Sequence, residues 1–434
     1  MKPTGLLVAV GLLAVLGGLT WWSNKKQASA SKSADTTVKI LSIPTDQFQE
    51  IRIKNPAQTI DLKRDSGKWQ MVEPQPLPAD PDTVGGMIST LSALNADKVV
   101  EDKASDLASY GLKDPSLDVQ VVKKDGKTDD LLIGDDTPTG SGSYAKLAND
   151  PRVFTIASFN KTSIDKPVND LRDKRLLTFD SGKLTRVQLE TKGPALEFGK
   201  NNDGEWQILK PRPLRADGGQ VDTLIGSLKD AKMDLSEDEK AAAQAFGSAA
   251  REATATVTDG TGNQTLEIRK KGDNYYAKSS AVTGIFKVSA DTGKALDKSL
   301  DDFRNKKLFD FGFSDPSYMM VQGTAYTKNG DKWMAGAKTM DNTSVQNLID
   351  KLRDLSATKF AETGGGATVF DAAVTSNSGK RREKVTITKQ GDRYFAQREN
   401  EPGIYELDGK AVDDLETAAS GVKEAAAPAP AKKT

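Results

Sequence analysis

The 434-residue sequence contains neither cysteine nor histidine. The first absence excludes disulfides, thiolate nucleophiles and thiolate-bound metals, and the second excludes imidazole bases, Ser-His-Asp triads and His-bound zinc. Only an all-carboxylate ion site or a mechanism built on Lys, Asp, Glu or Tyr survives. Lack of cysteine is compatible with an oxidising compartment such as the periplasm. An excess of charge is missing too: 61 basic residues face 61 acidic ones, so no overall field draws nucleic acid, and none is expected as a partner. The Gly-rich stretch TGGGAT (Thr363–Thr368) lacks the Gly-Lys-Ser/Thr close of a phosphate loop and reads as a flexible connection. Aromatics are sparse: 5 Trp and 8 Tyr, most at recurring core-like positions, which weakens the case for an aromatic-lined ligand groove.

Long apolar runs are likewise scarce, which makes the first residues conspicuous. GLLVAVGLLAVLGGLTWW, from Gly5 to Trp22, carries no charge. As a helix it reaches about 27 Å, enough for a bilayer core. Trp21 and Trp22 suit the interface, and Lys2, Lys25 and Lys26 flank the run. The expectation is an N-terminal membrane anchor over 1–27 that places the body in the periplasm or extracytoplasmic space at the inner membrane. The alternative is a signal peptide cut near Ala28–Ala30. The lysines after the run outnumber the one before it, which by the positive-inside rule argues for a cytoplasmic body; the short leading segment argues for an external one. Residues 28–38 read as a flexible tether, and 421–434 as a disordered Ala/Pro/Lys tail.

Between these ends the chain repeats itself. Trp69 to Asp80 reads WQMVEPQPLPAD and Trp206 to Asp217 reads WQILKPRPLRAD, identical at seven of twelve positions, with Trp333 marking a looser third copy. Asp80, Asp217 and Asp341 are each followed by a valine four residues on (Val84, Val221, Val345) and a leucine eleven residues on (Leu91, Leu228, Leu352). That spacing lies on one helical face, and each aspartate is placed to accept an orphan N–H at a helix start. Downstream, SYAKL, YYAKS and YFAQR echo one another. Tyr144 to Tyr276 and Val153 to Ile285 both span 132 residues; Tyr276 to Phe395 and Ile285 to Ile404 both span 119. Equal offsets at separate landmarks are the mark of duplication. LRDKRLLTFD and FRNKKLFDF close the first two copies, and the third shows no such close. Three modules follow, over 39–181, 182–313 and 314–420. Each is domain-sized, far beyond the ~20–50 residues of a solenoid unit.

Within the first module, FQEIRIKN and TIDLKRD alternate apolar with polar as half-buried strands do. GKWQMVEP adds a strand, the Asp80 helix follows, and LDVQVVKKDGKTDDLLIGD, SYAKL and RVFTIA form an antiparallel meander with Asp-Gly and Gly-Asp turns. The fold class is α+β: three tandem modules, each an antiparallel sheet with one or two packed helices. Trp69, Trp206 and Trp333 are the candidates for the sheet–helix junction.

These motifs, from WQMVEPQPLPADPDTV through LASYGLKDPSLDVQV and LLIGDDTPTGSGSYAKL to LRDKRLLTFD, resemble a bacterial family known as domain of unknown function 4340. The first module matches best. The second has FGSAAR (Phe246–Arg251) where the first has YGLKDP, and the third lacks the prolines after its tryptophan. The resemblance implies an anchored envelope protein associated with ABC transporters of the gliding-auxiliary type. It supplies no catalytic residue.

Several short stretches invite chemistry, and each has a plainer structural explanation. Asp135 and Asp136 in a Gly/Ser/Thr loop suggest a cation site, or a hairpin with solvated carboxylates. LRDKR (Leu171–Arg175) and FRNKK (Phe303–Lys307) suggest basic docking patches for phosphate or anionic lipid, or basic residues favoured at a helix end, with Arg172 and Arg304 pairing buried carboxylates. Tyr110, Phe246 and Phe370 suggest a binding platform, or core aromatics at a loop corner. The plainer explanation is preferred throughout, so no catalytic, cofactor-binding or metal-binding residue is assigned. The expected function is a non-enzymatic accessory or scaffold of a membrane complex, held to the membrane by residues 5–22 and contacting protein partners. The alternatives are a module that binds envelope polysaccharide or a small ligand, and a hydrolase using two carboxylates.

Overall fold

The computed structural model describes residues 38–312 and 316–426. The proposed anchor, the tether up to residue 37 and the tail from 427 lie outside them. Among the described residues no helix is long and apolar enough to cross a membrane.

Among the described residues, three antiparallel sheets of nine, eight and nine strands follow one another along the chain. The first shows the plan. Its strands are β1 (Phe48–Lys54), β2 (Thr59–Asp65), β3 (Lys68–Glu73), β4 (Leu77–Pro78), β5 (Lys98–Glu101), β6 (Leu117–Lys123), β7 (Thr128–Asp136), β8 (Gly142–Leu147) and β9 (Val153–Ala157). They lie in the order β4-β3-β2-β1-β6-β7-β8-β9-β5, two meanders joined where β1 pairs with β6. Alternation places Ile51, Ile53, Ile60, Leu62, Val119 and Val121 on the buried face. Each contributes about 1.5–3 kcal/mol by leaving water. The helix Pro81–Ser92 covers that face with Val84, Met87, Ile88 and Leu91.

The same helix recurs as Gly218–Lys229 and Asn342–Asp354. The three expected caps are all present. Asp80 accepts the N–H of Thr83 at 2.8 Å, Asp217 that of Gln220 at 3.1 Å and Asp341 that of Ser344 at 2.9 Å. Such caps are worth about 1 kcal/mol each. Trp206 and Trp333 are buried, Trp69 packs half-buried against the first core, and the Trp206 indole N–H reaches Asp222 on the helix at 2.9 Å.

The closing motif divides between modules. Leu171 belongs to the first core, whereas Leu176, Leu177 and Phe179 belong to the second. Phe303 belongs to the second, and Leu308, Phe309 and Phe311 to the third. The module boundaries therefore fall earlier than 181 and 313. The chain parts into two compact units between Lys174 and Arg175, and modules 2 and 3 share the second unit.

The third module does have a close, contrary to the sequence expectation. In module 1 Ala79 bridges Arg172 and the N–H of Asp80 donates to the Leu171 carbonyl at 2.8 Å. In module 2 Ala216 bridges Arg304, and Asp217 donates to Phe303 at 2.7 Å. In module 3 Met340 bridges Glu424, and Asp341 donates to Lys423 at 2.8 Å. Residues 421–426, expected to begin a disordered tail, supply this segment. The contact is made by backbone groups, so no side-chain motif marks it.

Helix content departs from the expected one or two per module. The first carries two further helices, Ser158–Ile164 and Val168–Leu171. The second lacks a counterpart of β5; Glu239–Ser248 packs beside its edge strand Ile285–Val288 instead, burying Ala242, Ala245 and Phe246 against Tyr276.

Candidate functional site

A continuous charge constellation lies where modules 2 and 3 meet. It starts from Arg215, on the two-residue strand before the Asp217 cap. Its Nε donates to Glu401 at 3.0 Å, and its Nη2 to the Lys307 carbonyl at 2.5 Å and to the Tyr405 hydroxyl at 3.3 Å. Glu401 also accepts Arg398 Nε at 2.8 Å and the Tyr405 hydroxyl. Arg398 reaches on to the Leu308 carbonyl and, at 2.9 Å, to Glu383, which accepts the N–H of Asp310 at 2.9 Å. Arg381 bonds the Asp310 carbonyl at 2.5 Å and pairs with Glu205.

These groups are charged and largely enclosed. Burial works against the Glu401 carboxylate, yet Arg215, Tyr405 and Arg398 outweigh it and hold its pKa below the usual range. Burial also opposes the Arg215 charge, and Tyr405 and Glu401 outweigh it, so its pKa is raised. The Tyr405 hydroxyl is pushed up, first by burial. For Arg215 and Glu401, opposite charge and hydrogen bonding together outweigh desolvation, while Tyr405 stays a neutral hydroxyl.

Above this network opens a cleft of about 790 Å³. Its wall includes Lys200 and Trp206 from module 2, Lys306 and Lys307 from the connecting segment, and Arg381 and Arg382 from module 3. The Lys200 ammonium stands 4.9 Å from the centre of the Trp206 ring.

Of the residues singled out by sequence, Trp206, Asp217 and Lys306 and Lys307 of FRNKK line this cleft; the others lie elsewhere or serve packing. Asp136 accepts Ser143 Oγ at 2.7 Å and pairs with Lys161 at 3.1 Å, which lowers its pKa, the serine bond more than the lysine. Asp135 packs on Gly111, where an added Cβ would come within 2.5 Å of its carboxyl. Among the described residues no His/Cys/Asp/Glu cluster fit for a metal ion occurs. Tyr110 donates to Glu101 at 3.0 Å and packs edge-on against Tyr144, while Phe246 and Phe370 are buried. Arg304 is buried with its guanidinium 3.4 Å over the Phe360 ring and pairs with the exposed Asp301, while Arg172 bridges Ala79 through its backbone. TGGGAT joins the strands Ala357–Ala361 and Ala367–Ser376. Gly366 there has φ 113° and approaches the Lys389 carbonyl too closely for any side chain.

One pair escaped the sequence reading. Asp118 on β6 and Asp130 on β7 stand diagonally across neighbouring strands. Burial and then Asp130 raise the Asp118 pKa, against Lys54. One oxygen of each carboxylate is buried with no hydrogen-bond partner among the described residues. Two strands of alternating pattern carry these aspartates among many others, and only the register brings them together.

The fold and the junction define a tandem-module α+β protein whose copies share a backbone plan but not a polar constellation. The model of the family named domain of unknown function DUF4340 matches residues 69–211 and again 206–379; the chain belongs to that family. Both matches begin at a repeat tryptophan, so the family unit runs from the third strand of one module into the next. No curated protein and no solved structure matches the chain.

Proposed function

We propose that this protein is a non-enzymatic accessory or scaffold of a membrane complex. In this proposal residues 5–22 anchor it and the modules stand on the extracytoplasmic side. The partners are membrane-complex subunits of the ABC-transporter kind that the family resemblance implies. One observation carries the reading: the enclosed charged groups at the module 2–3 junction pair with one another. Arg215, Glu401, Arg398 and Glu383 form a continuous chain of ion pairs. Such a chain fixes relative geometry more than it adds stability, and fixed geometry is what a scaffold requires.

The test is a crosslinked pull-down. The chain is tagged at its C-terminus, intact cells are crosslinked, and partners are identified by mass spectrometry after mild solubilisation. A form lacking residues 1–27 is the control. Enrichment of transporter permease or ATPase subunits with the anchored form supports the proposal; recovery of no protein partner at normal expression overturns it.

A further inference from the structure

We propose that the cleft between modules 2 and 3 binds a small polyanion bearing carboxylate or phosphate groups. This goes beyond the scaffold reading and stands or falls separately from it.

The inference rests on which charges at the wall are already committed. Asp217 caps its helix, Asp222 takes the Trp206 indole, and Asp310 accepts the Asn305 amide at 3.0 Å. Glu205 and Glu383 hold Arg381 and Arg398. Every carboxylate lining the cleft has a donor. The cations are not balanced in the same way. Lys200, Lys306, Lys307 and Arg382 line the cleft and are exposed. Among the described residues none of the four has a carboxylate within ion-pair distance. The surplus is thus positive and turned to solvent in a concave site, where low-dielectric walls focus the field.

Size and placement narrow the ligand. A volume of about 790 Å³ is that of a site for a ligand of many atoms, not a single small anion. The four cations come from the module 2 strand Leu196–Lys200, the connecting segment and the module 3 strand Arg381–Gln390. A ligand that meets them all carries anionic groups at several points. Trp206 is buried and offers no free face for stacking a neutral sugar, so charge is the recognition element. Acidic glycans and phosphorylated molecules share this chemistry.

The full chain in detergent is titrated calorimetrically with tripolyphosphate and, separately, with trigalacturonate, at low salt and at about 0.5 M salt, where surface fields are screened within a few ångströms. The variant is Lys200→Gln/Arg382→Gln; Lys68→Gln/Lys113→Gln, exposed positions in module 1, is the charge-matched control. Saturable binding of either probe, weakened by salt and by about tenfold or more in the cleft variant but not in the control, is expected, since the variant removes two charge-assisted contacts. Binding of tripolyphosphate alone points to a phosphorylated ligand; binding of trigalacturonate alone points to an acidic glycan. No binding of either probe, or equal weakening in variant and control, overturns the proposal.

Discussion

The backbone N–H of Asp341 donates to the carbonyl of Lys423 at 2.8 Å, the place that Leu171 fills for Asp80 and Phe303 for Asp217. The last described residues thus do for module 3 what the inter-module segments do for modules 1 and 2. Ala425 adds a second bond, to the Thr339 carbonyl at 2.9 Å, and Glu424 pairs with Lys338.

Truncation tests this directly. A chain ending at Ser420 loses both backbone bonds and leaves the Asp341 N–H to water. Module 3 is expected to lose about 1–3 kcal/mol, read as a lower midpoint in urea unfolding. A chain ending at Ala426 keeps the segment and is expected to unfold like the full chain. Equal midpoints for the two truncations would show that the segment contributes nothing.

What the sequence revealed divides along the same line. Side chains that do a fixed job leave a mark: the Asp80, Asp217 and Asp341 caps and the valine and leucine spacing behind them were all readable. The module 3 close left none, because backbone atoms make it. The module boundaries leave a side-chain mark too. VKILSI at Val38, KRLLTF at Lys174 and KKLFDF at Lys306 are one opening motif, and Lys39, Arg175 and Lys307 bridge equivalent partners Asn95, Lys232 and Ser356. The strand β5, four residues paired on one side only, is too short for periodicity to separate from loop. The junction network was not legible. Arg215 stands where module 1 has Pro78, and Glu401 lies 186 residues away with no repeat linking the two.

The pair Arg215 and Glu401 gives the second prediction. Glu401→Ala leaves Arg215 and Arg398 facing each other with little water, and the expected cost is about 3 kcal/mol. Arg215→Met/Glu401→Leu removes the uncompensated charge on one side and is expected to cost less than Glu401→Ala alone. A double-mutant cycle from urea unfolding measures the coupling. The pH dependence has a definite sign. The folded Glu401 pKa lies below its ordinary value of 4.5, so its contribution is complete above that value and fades as pH falls through the lower one. The cost of Glu401→Ala should therefore shrink in acid; a cost independent of pH would remove the ionic account.

Asp118 is expected to behave in the opposite way. Its folded pKa lies above the ordinary 3.8, because burial and the neighbouring Asp130 disfavour its charge. The native state then holds a proton where the unfolded chain has lost it. The favourable contribution is present below 3.8 and is lost as pH rises through the raised value. At neutral pH the ionised group is a net cost. Asp118→Asn removes the repulsion and sets an amide donor near the unpaired oxygen of Asp130. The expected gain is about 0.5–1 kcal/mol at pH 7, kept small because the site is partly open to solvent. Urea unfolding at pH 7 should show the variant more stable than wild type, with the difference closing near pH 3. A variant less stable than wild type at pH 7 would mean that the Asp118 carboxylate has a cationic partner stronger than Lys54. The gain follows from two carboxylates on neighbouring strands and holds whether or not they do chemistry.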